Sequence, residues 1–134
     1  MLGARYKGKK TIVLEEIPKP VPKEREVLVK VKYAGICGSD LEAYKTGLYP
    51  AHVVLGHEIM GYVEEMGPAV KKWKKGDRVT IFPTLHCGGK CWYCQQGLTN
   101  LCVYEDAIGI GANGGFAEYV LVSDHHLVAL PDSI

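Results

Sequence analysis

Four of the chain's five cysteines, Cys87, Cys91, Cys94 and Cys102, fall within 16 residues. Their spacing is Cys87-x3-Cys91-x2-Cys94-x7-Cys102. Four thiolates so placed can close a tetrahedral shell around Zn²⁺, with sulfur about 2.3 Å from the metal. Short spacings let two ligands share one tight turn, and the seven-residue segment brings the chain back for the fourth. Gly88, Gly89 and Gly97 supply the backbone freedom that such a knuckle needs. With every coordination position filled, the metal would be structural. Iron–sulfur clusters also take four cysteines, but their common spacings differ from this one. An odd number of cysteines rules out a complete set of internal disulfides.

Cys37 stands alone, fifty residues upstream of the cluster, and Gly56-His57-Glu58 follows it by about twenty. Cysteine, histidine and glutamate are each good zinc ligands. Three protein ligands plus an exchangeable position make a catalytic zinc, a Lewis acid that lowers the pKa of a bound alcohol or water. On spacing alone, a lone cysteine and a His-Glu pair are more often core packing and surface.

The elements that must position these groups are short strands. The chain has 134 residues, 47% apolar and 23% charged, which fits one globular domain spanning residues 1–134. Its 16 Lys+Arg against 15 Asp+Glu leave a net charge of +1, unlike a basic nucleic-acid binder. No stretch approaches the roughly 18 apolar residues of a membrane helix. The N-terminal residues lack the apolar core of a secretory signal, so the expected compartment is the reducing cytoplasm, where clustered cysteines bind metal. With 16 glycines and 7 prolines, the chain favours turns and strands over a helix bundle.

The hydropathy pattern predicts two strands within residues 1–17, then an extended connector at Pro18, Pro20 and Pro22. Val27–Ala34 alternates as a strand. Ser39 or Asp40 caps a short helix running to about Lys45. Further strands lie within Val53–Met66, Asp77–Phe82, Phe116–Val122 and Leu127–Leu130, with one helical turn near Trp92–Gln96. Short strands with few helices argue for a mainly β fold, a small barrel or sandwich.

Several motifs, in the right order, resemble the zinc-dependent medium-chain alcohol dehydrogenases. Gly56-His57-Glu58-x2-Gly61-x5-Gly67-x2-Val70, continued by Gly76-Asp77-Arg78-Val79, resembles that family's zinc signature. Ala34-Gly35-Ile36-Cys37-Gly38-Ser39-Asp40 is similar to its first catalytic-zinc segment. The four-cysteine knuckle resembles its structural-zinc loop, and Gly114-Gly115-Phe116-Ala117-Glu118-Tyr119 the strand that follows. The resemblance implies a chaperonin-10-like (GroES-like) catalytic domain, a partly open β-barrel. It implies that Cys37 and His57 ligate a catalytic zinc, with Glu58 either a ligand or a group behind one. Ser39 would bind the substrate hydroxyl and begin a proton relay, and Asp40 would orient His57 through its other ring nitrogen. The implied reaction oxidises a small-molecule alcohol to a carbonyl, passing hydride to NAD or NADP. The Cys37-x-Ser39-Asp40 and Gly56-His57-Glu58 versions look most like the polyol and threonine dehydrogenase branches.

The chain departs from that family in three places. The family's Rossmann domain, which binds the dinucleotide, is absent from these 134 residues, so the chain alone is expected to lack hydride transfer. Cys87 and Cys91 are separated by three residues where relatives have two, which makes Cys87 the ligand to check. Glu42 stands where many relatives carry a relay histidine. Gly109-Ile110-Gly111-Ala112-Asn113-Gly114 satisfies the dinucleotide fingerprint, with Asp132 about twenty residues on. It lacks the preceding strand and following helix, so it reads as a glycine-rich turn. His52 and His86 read as loop and packing residues, and His125-His126 as a polar turn. The Lys71-Lys72-Trp73-Lys74-Lys75 run reads as a solvated face around a buried Trp73. A homo-oligomer is possible, and family members associate largely through the absent domain. The alternative function is a non-catalytic, zinc-stabilised binding or assembly module, which has no need of Cys37, Ser39, His57 and Glu58.

Overall fold

The computed structural model describes residues 1–134 apart from Glu105 and Asp132. Asp132, the acidic partner in the fingerprint-like pattern, therefore lies outside the described residues. The strands are β1 (Leu2–Gly8), β2 (Thr11–Glu16), β3 (Glu26–Gly35), β4 (Glu58–Met66), β5 (Arg78–Ile81), β6 (Thr84–Leu85), β7 (Asp106–Ala107), β8 (Tyr119–Ser123) and β9 (Leu127–Ala129). Two α-helices, α1 (Gly38–Thr46) and α2 (Trp92–Gln95), interrupt them. Among the described residues, no helix is long and apolar enough to cross a membrane.

Five strands make one antiparallel sheet in the order β8-β3-β4-β5-β9. Its two edge strands, β8 and β9, are consecutive in the chain, joined by the single turn Asp124–His126. Laid flat, the sheet would hold those edges about 19 Å apart. The four steps from Ser123 to Leu127 can span about 14 Å. The sheet must therefore curl until its edges approach. Among the described residues no ladder joins β8 to β9, so the result is a partly open barrel.

Valines at alternating positions fill it. Val27, Val29, Val63, Val79 and Val120 are buried in one cluster with Trp73. β-Branched side chains suit the pleated backbone, and each buried valine contributes about 1.5–3 kcal/mol. Bulges between Leu28 and Val29 and between Val31 and Tyr33 bend β3 against β4. Within the lysine run, Trp73 is buried and its indole N–H donates to the Asp124 carbonyl at 3.0 Å, while the four lysines stay exposed.

A smaller cluster of Tyr6, Val53 and Leu55 lies beside α1. The Tyr6 hydroxyl donates to the Ala43 carbonyl at 2.9 Å, which fastens the helix to β1. The N-cap of α1 is Cys37 rather than Ser39 or Asp40. Asp40 sits one turn in, and its carboxylate accepts the Cys37 N–H at 2.9 Å, which lets the helix begin directly from the turn. Within Val53–Met66 the strand enters past Gly56, as expected: β4 starts at Glu58, and residues 53–56 pair with the glycine-rich segment, as in Gly114 N–H to Val54 carbonyl at 2.7 Å. One other difference from the sequence pattern is local. The β6–β7 ladder closes the neck of the cysteine loop with two residues on each side, too few for periodicity to reveal.

Candidate metal centres

Cys37, His57 and Glu58 each present one ligand atom, and the three atoms lie within 4.8 Å of one another. A tetrahedral zinc with bonds near 2.2 Å sets its ligands about 3.6 Å apart, so a small inward adjustment closes the shell. Cys37 arrives on the N-cap of α1, and His57 and Glu58 arrive where the chain enters β4. The sequence therefore folds two segments twenty residues apart onto one point.

Asp40 makes that meeting rigid. It is 3% exposed, and its carboxylate accepts both the Cys37 N–H at 2.9 Å and the Gly56 N–H at 3.3 Å. His57 Nδ1 is buried without a hydrogen-bond partner, 3.8 Å from Asp40 Oδ1. That orphaned nitrogen fits a ring that carries a metal on Nε2 and its proton on Nδ1, aimed at the carboxylate. The mixed sulfur, nitrogen and oxygen donor set also fits Zn²⁺. Ser39 lies on the first turn of α1, half-buried, two residues from Cys37. A shallow cleft of about 530 Å³ opens beside the pair, walled by His57 and Glu58 with Tyr33, Met60, Thr80 and Pro83. Ser39 and Asp40 do not line it.

Three glycines that carry no ligand atom shape this site: Gly35 and Gly56 stand in the two motifs of the catalytic-zinc resemblance, whereas Gly109 was read only as part of a glycine-rich turn. Gly56 adopts φ +90°, and a Cβ there would press into the Phe116 ring at 2.5 Å. Gly35 pairs with Glu58 across β3 and β4, and a Cβ there would overlap the Glu58 carboxylate. Gly109 packs against Gly56, 3.0 Å from its backbone nitrogen to a would-be Cβ. The fingerprint-like glycines thus form a turn that supports the His57 loop, with Gly109 N–H donating to the Ala112 carbonyl at 2.8 Å.

The cysteine loop is held by its sulfurs. Ligand atoms of Cys87, Cys91, Cys94 and Cys102 also lie within 4.8 Å of one another. Between Cys87 and Tyr104, Cys91 and Cys102 are the buried residues among those described, and the loop adds no side chain to either apolar cluster. Trp92, Val103 and Tyr104 are exposed. A loop this long with no core of its own fits a metal as its organising centre. Backbone N–H groups point at the sulfurs: Cys91 to Cys87 Sγ at 3.2 Å, Cys87 and Tyr104 to Cys102 Sγ at 3.4 Å. Those of Cys94 and Val103 hold the Cys91 thiol down to about 6. Burial works against Cys87, yet the Cys91 N–H and the Cys94 thiol still lower it. Burial, with the neighbouring thiols, pushes Cys94 up to about 12. Cys91 Sγ and Cys102 Sγ are 3.9 Å apart, far beyond a disulfide bond. The extra residue after Cys87 is absorbed by Gly88 and Gly89, at φ +66° and +100°, so Cys87 stays in the cluster.

Glu42 is exposed on α1. His52 is exposed in a left-handed turn at φ +73°, and its carbonyl accepts from Arg5. The Asp124–His126 segment is not a polar turn throughout. His125 is exposed, but Asp124 and His126 are buried at 6% and 2% exposure. Burial, then the nearby His125 and His86, holds His126 down to about 4.

A family model described as the alcohol dehydrogenase GroES-like domain matches residues 23–132. The chain is 42% identical, over 90% of its length, to a sorbitol dehydrogenase of Halalkalibacterium halodurans, and spans 36% of that protein. It is 35% identical to an L-threonine 3-dehydrogenase of Shewanella baltica, covering 98% of this chain and 40% of the relative. The crystal structure of galactitol-1-phosphate dehydrogenase from Escherichia coli superposes with a TM-score of 0.92 at 32% identity, over all of this chain and 39% of that one. The match to the family model and the curled, valine-filled sheet agree, and the chain belongs to the alcohol dehydrogenase GroES-like domain family.

Proposed function

We propose that residues 1–134 form the catalytic domain of a zinc-dependent dehydrogenase that oxidises a small polyol-type alcohol with NAD or NADP. The observation that carries this reading is the convergence of Cys37, His57 and Glu58 donors within 4.8 Å at a cleft mouth. A barrel serving only as a binding module has no use for that trio. The sorbitol and threonine dehydrogenase relatives support the substrate class. The dinucleotide is held by a Rossmann domain of the complete enzyme. Five free cysteines suit the cytoplasm.

Cys37, His57 and Glu58 hold the catalytic Zn²⁺, and Cys87, Cys91, Cys94 and Cys102 hold a structural one. When bound, the first ion supplies Lewis-acid polarisation of the alcohol oxygen. Ser39 takes up the alcohol proton and passes it toward solvent. Asp40 keeps the His57 proton on Nδ1 and fixes the ring. Tyr33, Met60 and Pro83 give the cleft a wall against which the substrate carbon packs.

The test is the chain loaded with Co²⁺. Adding an alcohol should shift cobalt bands of the wild type that the Cys37→Ser variant lacks. Equal spectra with and without the alcohol would mean that no exchangeable position exists here.

A further inference from the structure

We propose a third metal site, for a divalent transition ion such as Zn²⁺, built from His86, His125 and His126. It stands independently of the alcohol reading. One ring nitrogen from each histidine lies within 4.8 Å of the other two. The ring centroids are 4.6, 4.7 and 4.2 Å apart, and the planes are tilted by 50°, 60° and 44°. Rings inclined in this way bring nitrogen edges together, whereas flat stacking would hold them apart.

Two buried polar atoms at this cluster have no partner. His126 is 2% exposed, and its Nδ1 makes no hydrogen bond among the described residues. Asp124 Oδ1 is likewise buried and unpaired, 3.7 Å from His125 Nδ1, while its Oδ2 is taken by Arg25 at 2.9 Å. A buried polar group left unpaired costs about 1–3 kcal/mol. An ion between the rings would engage His126, and with His125 held through Nε2 its Nδ1 proton would face Asp124 Oδ1, now 3.7 Å away. That is the carboxylate–histidine–metal arrangement that orients ligands elsewhere.

Three imidazoles without a thiolate suit Zn²⁺, Ni²⁺ or Co²⁺, with water in the fourth position. A cleft of about 340 Å³, lined by His86, Gly88, Lys90 and His125 among others, gives that water room. His86 Nδ1 accepts the Gly88 N–H at 3.3 Å, a long contact on a two-glycine turn that can open to free the ring. The ion would tie the base of the cysteine loop to the turn between β8 and β9, adding to the Phe82 N–H bond to the His126 carbonyl at 2.8 Å.

The experiment is equilibrium dialysis of the purified chain, never chelated, against Zn²⁺, beside His86→Gln and His125→Gln. These positions are not fully buried, so the variants should fold. The wild type should retain one equivalent more than either variant, and Zn²⁺ should raise its Tm and not theirs. Equal stoichiometry in all three chains would overturn the site, as would an extra equivalent lost in Cys87→Ser but kept in both histidine variants. If the variants fail to fold, the wild type is titrated with Co²⁺. The added equivalent should bring visible bands with no growth of the sulfur-to-cobalt absorption. Growth of that absorption would place the ion on cysteine and refute the proposal.

Discussion

Asp40 and His57 face each other across 3.8 Å inside the fold, with His57 Nδ1 unpaired and Asp40 only 3% exposed. The same carboxylate already anchors the Cys37 and Gly56 N–H groups. One side chain thus fixes the helix that carries one metal donor and the turn that carries two more. Asp40→Asn keeps the shape but replaces one acceptor oxygen with an amide donor. Zinc affinity at the Cys37 site should fall about 10–100-fold. Chelator competition should show this, with the four-cysteine site unaffected. Asp40→Ala should also cost about 1–3 kcal/mol for each N–H it orphans, read from urea unfolding.

Gly35 gives a way to test Glu58 without touching it. Its backbone is ordinary, yet a Cβ there would overlap the Glu58 carboxylate. Gly35→Ala should push that carboxylate out of reach of Cys37 and His57 and weaken zinc binding about tenfold, as removing a group that orients the metal does. Glu58→Gln should give a loss of the same order. If both variants bind zinc as the wild type does, Glu58 holds no metal.

Removing metal should act unevenly along the chain. The cysteine loop adds nothing to the apolar clusters, whereas β3, β4 and β5 supply most of the larger one. Under a strong chelator, amides of residues 87–104 should lose hydrogen-exchange protection first, while those of β3 and β4 stay protected. Simultaneous loss in both regions would show that the loop is not a separate metal-held unit.

Acid should loosen the N-terminal hairpin by a defined route. A hydrogen bond from Lys7, reinforced by Arg5, holds the Glu15 carboxyl below its ordinary value of 4.5. A depressed folded-state pKa contributes stability above the unfolded value and loses it as pH falls through the folded one. Glu15→Gln should therefore lose less stability than the wild type as pH drops below about 4.5. The difference should be small, because the pair is on the surface. Chemical denaturation of both chains at stepped acid pH measures it.

The candidate metal-ligating groups were largely legible in the sequence, because ligand identity and spacing are local facts. Cys87, Cys91, Cys94 and Cys102 announce themselves by proximity. The alternation of Val27–Ala34 likewise marks a strand. Cys37 and His57 needed the family resemblance, since nothing local tells a lone cysteine that a helix cap will carry it to a strand entrance. The supporting roles of Gly35 and Gly109 were hidden, because they depend on partners twenty or more residues away, and so was the Asp40 bond to the Gly56 N–H, sixteen residues on. His126 looked polar and proved buried, because the curl of the sheet closes over the β8–β9 turn. That closure comes from strand order, which hydropathy does not encode.

The most direct test of the catalytic centre is metal per chain on freshly purified protein, wild type beside Cys37→Ser, by elemental analysis. The account predicts that the variant carries one zinc fewer and keeps the zinc of the cysteine loop. Equal zinc in the two chains would mean that Cys37, His57 and Glu58 hold no metal in this domain, and the catalytic reading would fail at its first step.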